Sequence, residues 1–364
     1  MGCLVLVEPN PGGHRFQYVR HLVRAEPNSV VLTSTGATST PEFDSYLGDE
    51  KVEALERYSR PEPPTRELVS VVAELARERD VDTVVVMDAD QALKRWWLEA
   101  PRAFRGLPHK PRVIFLLTRY PARLTFKDRL GWLHRVSKAS LSEVAQVRGA
   151  LARTVSLAGR DDSAPGRLVH RVQDPAICEA SAADRPVLRD KLELPADDVL
   201  VGILGTISDR KNVPMVASAV AAVGGNVRLL VAGQLEPVVA DWLAVQSPEM
   251  RARLIVRDEY LSNEKLDSYV AASDIVSIAQ DNNGPSGIMG KALTAGVPVL
   301  TAGSLVRERE LLAAGPGTGR ATELTAESTA DGIRALVAER DSFRPADRTM
   351  LATPEAFAAG VLGR

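Results

Sequence analysis

The sequence predicts an α/β protein made of two Rossmann-like domains, each a doubly wound parallel sheet, and three observations support this fold class. Short apolar segments alternate with amphipathic segments of helical period, which is typical of parallel strands joined by crossover helices. This pattern occurs twice, on either side of residues 161–189, which are rich in Asp, Ala, Pro and Ser. The length of 364 residues also exceeds that at which a single hydrophobic core usually stops growing.

Ten apolar segments are the predicted strands, and charged segments of helical period between them are expected to cover the two sheets. In the N-terminal half the predicted strands are 4–7, 29–33, 83–87, 113–117 and 154–158, with helices at 16–25 and 65–79. In the C-terminal half they are 199–204, 228–232, 253–256, 275–279 and 297–301, with helices at 213–223, 238–246, 263–271 and 287–295. The crossing between the domains is expected within 161–189, where the periodicity is weak.

The composition excludes several classes of protein. Lys and Arg number 45 against 47 Asp and Glu, a net charge of -2, so the chain has no global attraction to nucleic acid or to an anionic membrane. Cys3 and Cys178 stand apart, which argues against a disulfide framework or a structural zinc site and fits a reducing cytoplasm. The apolar run 2–7 is too short for a signal peptide or a membrane span. We expect a cytoplasmic protein without a transmembrane segment, and peripheral membrane contact stays open.

The turn after the first predicted strand reads EPNPGGH over residues 8–14. Gly12 and Gly13 would let the backbone approach a ligand closely, and the following helix would point its N–H groups at an anion or a sugar hydroxyl. A tight turn that needs positive φ explains the glycines equally well. His14 is either a group that contacts sugar or shuttles protons, or a polar residue that caps the turn.

Two segments of the C-terminal half predict a phosphate site. Arg210 and Lys211 follow the strand 199–204, at the edge where open α/β sheets bind ligands, and two fixed cations suit a diphosphate. A solvated charge pair is the alternative. Residues 277–298 read SIAQDNNGPSGIMGKALTAGVP, a strand, a polar Gly-rich loop and a helix that ends at a glycine. An ordinary loop is possible here too, but the nearby Lys211 favours a diphosphate over Ser286, Gly287 and Ile288.

These segments resemble the nucleotide-sugar-binding domain of GT-B glycosyltransferases, especially the large retaining family 4. Residues 205–212 are similar to its Gly-Arg-Leu-x-x-x-Lys-Gly phosphate motif, 229–233 to its next strand, and 260–274, beginning at Tyr260, to the segment that flanks the base. Residues 291–298 are similar to its Glu-Ala-Met-Ala-x-Gly-x-Pro helix, and residues 12–14 to its glycine-rich first loop. The resemblance implies two domains facing a cleft: an acceptor-binding domain over 1–180, a nucleotide-sugar-binding domain over 181–345, and a C-terminal helix, 346–364, that could cross back to the first domain.

The sequence departs from this family at charged positions. The family's Glu-x7-Glu pair, which contacts the donor sugar and the ribose hydroxyls, corresponds to Asn283 and Lys291. Lysine has no acceptor atom, so Lys291 is instead a candidate phosphate contact. The Arg of the phosphate motif corresponds to Thr206, and the family's N-terminal-domain His falls near Arg119, which can stabilise negative charge but cannot donate a proton.

The resemblance implies a metal-independent, retaining transferase that moves a hexose-type sugar from a nucleotide-diphosphate sugar, with UDP or GDP the first choice, and that needs no cofactor. High Ala, Arg and Val usage resembles a bacterial source, with an envelope glycan or a secondary metabolite as acceptor. The alternatives are a non-catalytic GT-B subunit that binds a sugar nucleotide or a partner enzyme, and a GT-B-type epimerase. The candidate catalytic residues are His14, Arg119 and Asn283; the candidate donor-binding residues are Gly12, Gly13, Thr206, Arg210, Lys211, Tyr260, Ser286, Gly287, Ile288 and Lys291.

Three further features of the N-terminal half have open interpretations. Asp88 and Asp90, after a predicted strand, are expected to contact acceptor or to cap a helix rather than to bind a metal. Trp96 and Trp97 are expected to be one core and one surface residue, with a sugar-stacking platform as the alternative. A basic cluster either holds an anionic acceptor or is a solvated helix face; it comprises Arg119, Arg123, Lys127 and Arg129.

Overall fold

The structure is a computed structural model that describes residues 2–12, 15–121, 124, 129–158, 166–175, 177–280, 282, 286–339 and 352–364. His14, Gly13 and Asn283, together with Arg123 and Lys127, lie outside the described residues. The described chain divides into two compact units. Unit 1 contains the described residues up to Ala158, those of 166–173, and Pro354–Arg364, whereas unit 2 contains the described residues of 174–353.

Unit 1 is built on a seven-stranded sheet in which all adjacent strands are parallel. Its strands are β1 (Cys3–Val7), β2 (Ser29–Ser34), β3 (Glu53–Tyr58), β4 (Val81–Val86), β5 (Arg112–Leu117), β6 (Arg153–Ala158) and β7 (His170–Gln173). They are ordered β3-β2-β1-β4-β5-β6-β7. The strand order reverses between β1 and β4. The loops that follow these two strands therefore diverge, and this leaves a crevice at the carboxyl ends of the strands.

Helices cover both faces of this sheet, as buried apolar residues on both sides of the strands require. The helices of unit 1 are α1 (Arg15–Ala25), α2 (Pro41–Leu47), α3 (Thr65–Glu78), α4 (Leu93–Ala103), α5 (Arg129–Val147) and the C-terminal helix Pro354–Leu362. The C-terminal helix belongs to the core, because Phe357 and Val361 are fully buried with the residues of α1. Arg112 fixes its end by donating to the carbonyl oxygen of Leu362 at 2.9 Å.

Unit 2 repeats this architecture on a six-stranded parallel sheet. Its strands are β8 (Val199–Leu204), β9 (Val227–Ala232), β10 (Leu254–Arg257), β11 (Ile275–Ala279), β12 (Val299–Ala302) and β13 (Gly319–Thr322), ordered β10-β9-β8-β11-β12-β13. Its helices are α6 (Arg185–Lys191), α7 (Val213–Val223), α8 (Pro237–Ala244), α9 (Pro248–Arg251), α10 (Asn263–Ala272), α11 (Gly287–Ala295), α12 (Leu305–Ala314) and α13 (Ala326–Ala338). The reversal here lies between β8 and β11.

The predicted fold class is confirmed, and each of the ten predicted strands lies within two residues of an observed one. Within 161–189, where the crossing between the domains is expected, the structure has two elements that the sequence did not predict, because β7 lies inside this segment and α6 begins there. The four residues of β7 read HRVQ, and β3 reads EALERY. Both are edge strands, which bury few side chains and therefore carry little apolar signal. Among the described helices, none is long and apolar enough to cross a bilayer.

The adjacent tryptophans of α4 separate into core and surface, as predicted. Trp96 is fully buried, its ring meets Phe115 edge-on at 4.9 Å, and its Nε1 donates to the carbonyl oxygen of Ala150 at 2.8 Å. Trp97 is half-buried, and the guanidinium of Arg148 lies 5.0 Å from its ring centroid. A sugar platform made of both rings is therefore excluded, because Trp96 has no exposed face.

These two tryptophans provide a matched test of the core. Trp96→Ala should lower the free energy of unfolding by about 3–5 kcal/mol, because it empties a well-packed site. Trp97→Ala should cost less, about 1–2 kcal/mol, because this side chain is only half-buried. Urea unfolding followed by fluorescence and circular dichroism measures both, and equal losses would contradict the assignment.

Candidate functional site

In unit 2, the loop that follows β8 is tied to both neighbouring strands. Asn212, with a left-handed φ of 49°, donates from Nδ2 to the carbonyl oxygen of Ala279, the last residue of β11, at 2.9 Å. On the other side the backbone of Gly205 lies so close to Gly233 that a Cβ on Gly233 would be 1.9 Å from the carbonyl oxygen of Gly205. The loops after β8 and β9 are thus in backbone contact, which only glycine permits at position 233.

Lys211 lies in this loop and places its amino group beside the start of α11. Its Nζ donates to the carbonyl oxygen of Leu204, at the end of β8. A Cβ built on Gly205 would lie 3.5 Å from this Nζ and 3.8 Å from Cδ1 of Ile288, so both side chains border the same small volume. No carboxylate of the described residues forms an ion pair with Lys211. Burial, reinforced by the positive charge of Arg210, lowers the pKa of Lys211 to about 8.

The N-terminus of α11 is open. Ser286 caps it, with Oγ accepting from the backbone N–H of Met289 at 3.3 Å. Gly287 is exposed, and a Cβ there would have no neighbour within 4 Å among the described residues. The backbone N–H groups of Gly287 and Ile288 find no acceptor in the described parts of the chain. Two unsatisfied donors at a helix N-terminus, next to an ammonium without a carboxylate partner, make this a candidate anion site.

Four further residues that were predicted to bind the donor are exposed, three in unit 2 and one in unit 1. Thr206 and Arg210 are exposed on the loop after β8, and Tyr260 is 39% exposed in the loop after β10. Arg210 directly precedes Lys211 in the chain, and its positive charge contributes to the lowered pKa of Lys211. In unit 1, Gly12 is exposed and its φ is not left-handed; its N–H donates to Oδ1 of Asn10 at 2.9 Å. The turn therefore does not need a glycine at position 12 for its φ.

Lys291 is engaged inside unit 2. Its Nζ lies 2.6 Å from Oδ1 of Asp267 and donates to the carbonyl oxygen of Ile177 at 2.9 Å, and both side chains of the ion pair are buried. The other carboxylate oxygen of Asp267 accepts from the backbone N–H of Glu179 at 3.0 Å. This arrangement fastens the segment 177–179 to α10 and α11. It favours a structural role for Lys291 over the phosphate contact expected from the sequence.

Sequence reasoning missed Arg307, which positions the loop after β11. This side chain of α12 is 1% exposed. Its Nη1 donates to the backbone and side-chain oxygens of Asn282 at 2.9 and 3.1 Å, and its Nη2 donates to the carbonyl oxygen of Gln280. In the sequence it stands in the run RERE, whose alternating charges predict a solvated helix face. Its burial follows only from the packing of α12 against the end of the sheet.

In unit 1 a network of charged groups lies where β1 and β4 end. Arg15 bridges two carboxylates, with Nη1 2.7 Å from Oδ2 of Asp88 and 3.6 Å from Oε1 of Glu8. Glu8 is 2% exposed, and burial raises its pKa to about 8 against the opposing effects of Arg15 and the N–H of Asn10; Asp88 adds to the rise. Asp88 has a left-handed φ of 43°. A non-glycine residue in this region at a strand end is typical of functional sites.

The network continues to β5 and α5. Thr118 donates from Oγ1 to Asp88 at 2.5 Å, and Asp90 accepts from the backbone N–H groups of Thr118 and Arg119 at 2.9 and 3.2 Å. Lys138 closes it, with Nζ 2.5 Å from Asp90. The guanidinium of Arg119 is exposed. Asp88 and Asp90 do not cap a helix as the sequence allowed, because α4 begins after Ala92 without a side-chain cap. Within the described ranges, no three His, Cys, Asp or Glu side chains are arranged to hold a metal ion.

Comparisons with known proteins establish the fold. No family model matches the sequence, and no curated protein is significantly similar to it. HepE from Anabaena, in complex with UDP and glucose, is similar with a TM-score of 0.67 at 16% identity, over 99% of this chain and 95% of that chain. Sucrose-phosphate synthase from Thermosynechococcus elongatus is similar with a TM-score of 0.65 at 14% identity, over 100% and 94% of the two chains.

A third structure, WaaG, a glycosyltransferase involved in lipopolysaccharide biosynthesis, has a TM-score of 0.61 at 14% identity, over 99% of this chain and 100% of that chain. Because these similarities span both units, the chain has the two-domain GT-B fold. At such low identity they establish the fold alone. The predicted GT-B architecture is confirmed.

The buried ion pair of Lys291 can be tested against an exposed one. Lys291→Met should lower the free energy of unfolding by about 3–5 kcal/mol, because it leaves Asp267 buried without its counter-charge. Lys265→Met, which removes a half-exposed partner of Glu259, should cost less than about 1 kcal/mol. Thermal and urea unfolding measure the stability of both variants. If Lys291→Met left the free energy of unfolding unchanged, the ammonium would not be what stabilises the buried Asp267.

Proposed function

We propose that this chain is a glycosyltransferase that transfers a sugar from a nucleotide-diphosphate sugar to an acceptor hydroxyl, without a metal ion. The observation that carries the proposal is the anion site of unit 2. There the ammonium of Lys211, without a carboxylate partner in the described chain, borders Ile288 at the open N-terminus of α11. A cation and two backbone N–H donors match the charge and acceptor atoms of a diphosphate.

The proposed donor contacts follow from the positions of these groups. The N–H groups of Gly287 and Ile288 donate to one phosphate, and Lys211 bridges the two phosphates with Arg210 adding a second positive charge. Tyr260, exposed in the loop after β10, is assigned to the base. The structures of HepE were obtained with UDP and with UDP-glucose, which supports UDP as the first nucleotide to test.

The proposed reaction breaks the bond between the anomeric carbon and the phosphate oxygen, and the diphosphate leaves with the electron pair. The acceptor oxygen forms the new bond to that carbon and loses its proton to the departing phosphate. Negative charge grows on the diphosphate in the transition state, where Lys211 and the α11 N–H groups are already oriented toward it. Stabilisation of the leaving group by fixed protein groups replaces the role that a bound metal takes in other transferases. The retaining outcome is part of the proposal and rests on the family resemblance.

We assign the acceptor to unit 1, at the edge where β1, β4 and β5 end. Asp88 is partly exposed there and held in position by Arg15 and Thr118, so it is suited to accept a hydrogen bond from a hydroxyl. The exposed guanidinium of Arg119 lies on the adjacent loop and would favour an acceptor that carries negative charge. A hexose as the transferred group, with a glycan or a secondary metabolite as acceptor, completes the proposal.

One observation favours a second candidate, a subunit that binds a sugar nucleotide without transferring the sugar. The position where family 4 has a ribose-binding Glu is Lys291 here, and its side chain is committed to Asp267. Calorimetry with UDP, GDP and their sugars, followed by assays of sugar transfer and donor hydrolysis with and without EDTA, separates the candidates. Binding with turnover that resists EDTA supports the transferase, binding without turnover supports the second candidate, and no binding overturns both.

The role of Lys211 gives the sharpest binding test. Lys211→Ala should weaken binding of the nucleoside diphosphate by about 10- to 100-fold, the range expected for one charge-assisted hydrogen bond. Lys191→Ala is the control, since Lys191 is 67% exposed and pairs with an exposed glutamate, and it should leave the affinity unchanged. Isothermal titration calorimetry measures both; equal affinities for the two variants would refute the phosphate assignment.

The lowered pKa of Lys211 also predicts a pH dependence. A bound diphosphate stabilises the charged amine, so binding must take up a proton above the free-protein pKa of about 8. Affinity should be flat below that pH and fall by up to about tenfold per pH unit above it. Lys211→Arg should abolish the decline, because arginine stays charged. Calorimetric titrations across this pH range measure the slope, and an identical decline in both proteins would assign it to another group.

A further inference from the structure

Three basic side chains lie at the starts of β5, β6 and β7, the edge of the unit 1 sheet opposite the loops that follow the strands. They are Arg112, Arg153 and His170, each the first residue of its strand, and we call them the strand-start cluster. Side chains two residues apart in a strand share a face. The cluster therefore lies on the sheet face of Val155 and Val172, which pack with the C-terminal helix.

The two arginines of the cluster hold the end of the C-terminal helix and converge on Gly363. Nη1 of Arg112 donates to the carbonyl oxygen of Leu362 at 2.9 Å, and Nη2 of Arg153 donates to that of Gly360 at 3.2 Å. A Cβ built on Gly363 would lie 2.9 Å from Nη1 of Arg153 and 3.1 Å from Nη2 of Arg112. These two nitrogen atoms are therefore no further apart than the sum of the two distances, so one oxyanion can accept from both.

No carboxylate of the described chain neutralises these guanidinium groups. Neither forms an ion pair with a described residue, and Nη2 of Arg112 and Nη1 of Arg153 have no acceptor there. The Nε of Arg153 is buried and also lacks a hydrogen-bond partner among the described groups. Burial, reinforced by the positive charge of Arg112, lowers the pKa of Arg153. Like charges held together beside an unsatisfied buried donor are costly, and a bound anion would offset this cost.

The C-terminal helix compensates only part of the charge. The aligned peptide groups of a helix leave about half a negative charge at its C-terminus, which is less than the charge of one arginine. The helix also has a glycine cap of its own. Gly363 has a left-handed φ of 73°, and its N–H donates to the carbonyl oxygen of Ala359 at 2.8 Å. Capping of the helix therefore leaves the strand-start cluster positively charged.

His170 adds a hydrogen-bonding group beside the two arginines. Burial, reinforced by the positive charge of Arg153, lowers the pKa of His170 below its ordinary value. The ring is therefore neutral at pH 7 and has one N–H to donate. Its nitrogen atoms have no hydrogen-bond partner in the described parts of the chain. Arg112 and Gly363 are exposed, so a small ligand can reach the cluster from solvent.

We propose that the strand-start cluster binds a phosphate group, held between Nη2 of Arg112 and Nη1 of Arg153 with a further hydrogen bond from His170. Guanidinium groups match the geometry of phosphate oxygens, and the double charge of a phosphate suits two cations better than the single charge of a carboxylate. Because the same arginines hold the C-terminal helix, the bound phosphate fixes that helix to the sheet. The site is separate from the strand-end network and does not depend on the proposed function.

Isothermal titration calorimetry with inorganic phosphate tests the site, using the full chain with Lys211→Ala so that the proposed donor site does not contribute. Adding Arg112→Gln and Arg153→Gln should weaken phosphate binding about tenfold or more, because two charge-assisted hydrogen bonds are lost. Adding Arg60→Gln and Arg66→Gln instead is the matched control. It removes the same charge from two exposed arginines of unit 1 that form no ion pair among the described residues, and it should leave phosphate affinity unchanged.

A second measurement leaves both arginines in place, so it does not depend on how their replacement affects the C-terminal helix. A phosphate beside His170 should raise the pKa of this ring, because a negative charge stabilises the imidazolium. NMR titration of the histidine ring protons, with and without saturating inorganic phosphate, measures the change. His170→Gln identifies the signal.

The phosphate group can come from the free ion or from a phosphate ester, and titration with glucose 6-phosphate distinguishes these sources. An affinity above that for inorganic phosphate would assign an ester, and a lower one would assign the free ion. Three results would overturn the proposal: no phosphate binding, equal phosphate affinity in the arginine variant and its control, or no change at His170 when phosphate is saturating. Affinity for UDP, measured with Lys211 in place, tests the proposed function separately, so either can fail alone.

Discussion

Both units depend on one geometric constraint of parallel sheets. Parallel strands must be joined by crossover helices, so all loops that follow the strands collect at one edge, and they diverge only where the strand order reverses. In unit 1 this point lies between β1 and β4, and in unit 2 between β8 and β11. The charged network around Asp88 and the candidate anion site around Lys211 lie at these two points. The strand order therefore sets the position of each site in its sheet, and the side chains on the loops set its charge.

Three cations of unit 2, Lys291, Arg307 and Lys211, are removed from water and differ in the groups that stabilise their charge. A buried charge is costly unless it is paired or satisfied by hydrogen bonds. Lys291 meets this requirement through Asp267 and the carbonyl of Ile177, and Arg307 through the oxygens of the loop after β11. Lys211 has a backbone carbonyl but no carboxylate in the described chain. Lys291 and Arg307 therefore hold chain segments together, whereas the role proposed for Lys211 is to neutralise the charge of a ligand.

Unit 1 has a different electrostatic character. Its strand-end network mixes carboxylates with Arg15 and Lys138, so most charges are matched within it. Glu8 is the exception, since burial outweighs Arg15 and leaves a carboxyl group with a raised pKa. The strained backbone at Asp88 is maintained by the side chains that hold its carboxylate.

The sequence by itself determined the fold class and the positions of ten of the thirteen strands that the structure describes, because burial on both faces of a parallel sheet leaves an unbroken apolar run in the central strands. It also predicted a phosphate site at Lys211 and the start of α11, since a cation after a strand and a glycine-opened helix are local signals, and this site stays a prediction. Only the tertiary structure decided which partner each charged side chain contacts. The commitment of Lys291 to Asp267, the burial of Arg307 and the joining of Glu8 to Asp88 through Arg15 link residues far apart in the chain. Such pairings depend on how helices pack on a sheet, and side chains of the same type at the same spacing in the sequence can face a ligand, a neighbour or water.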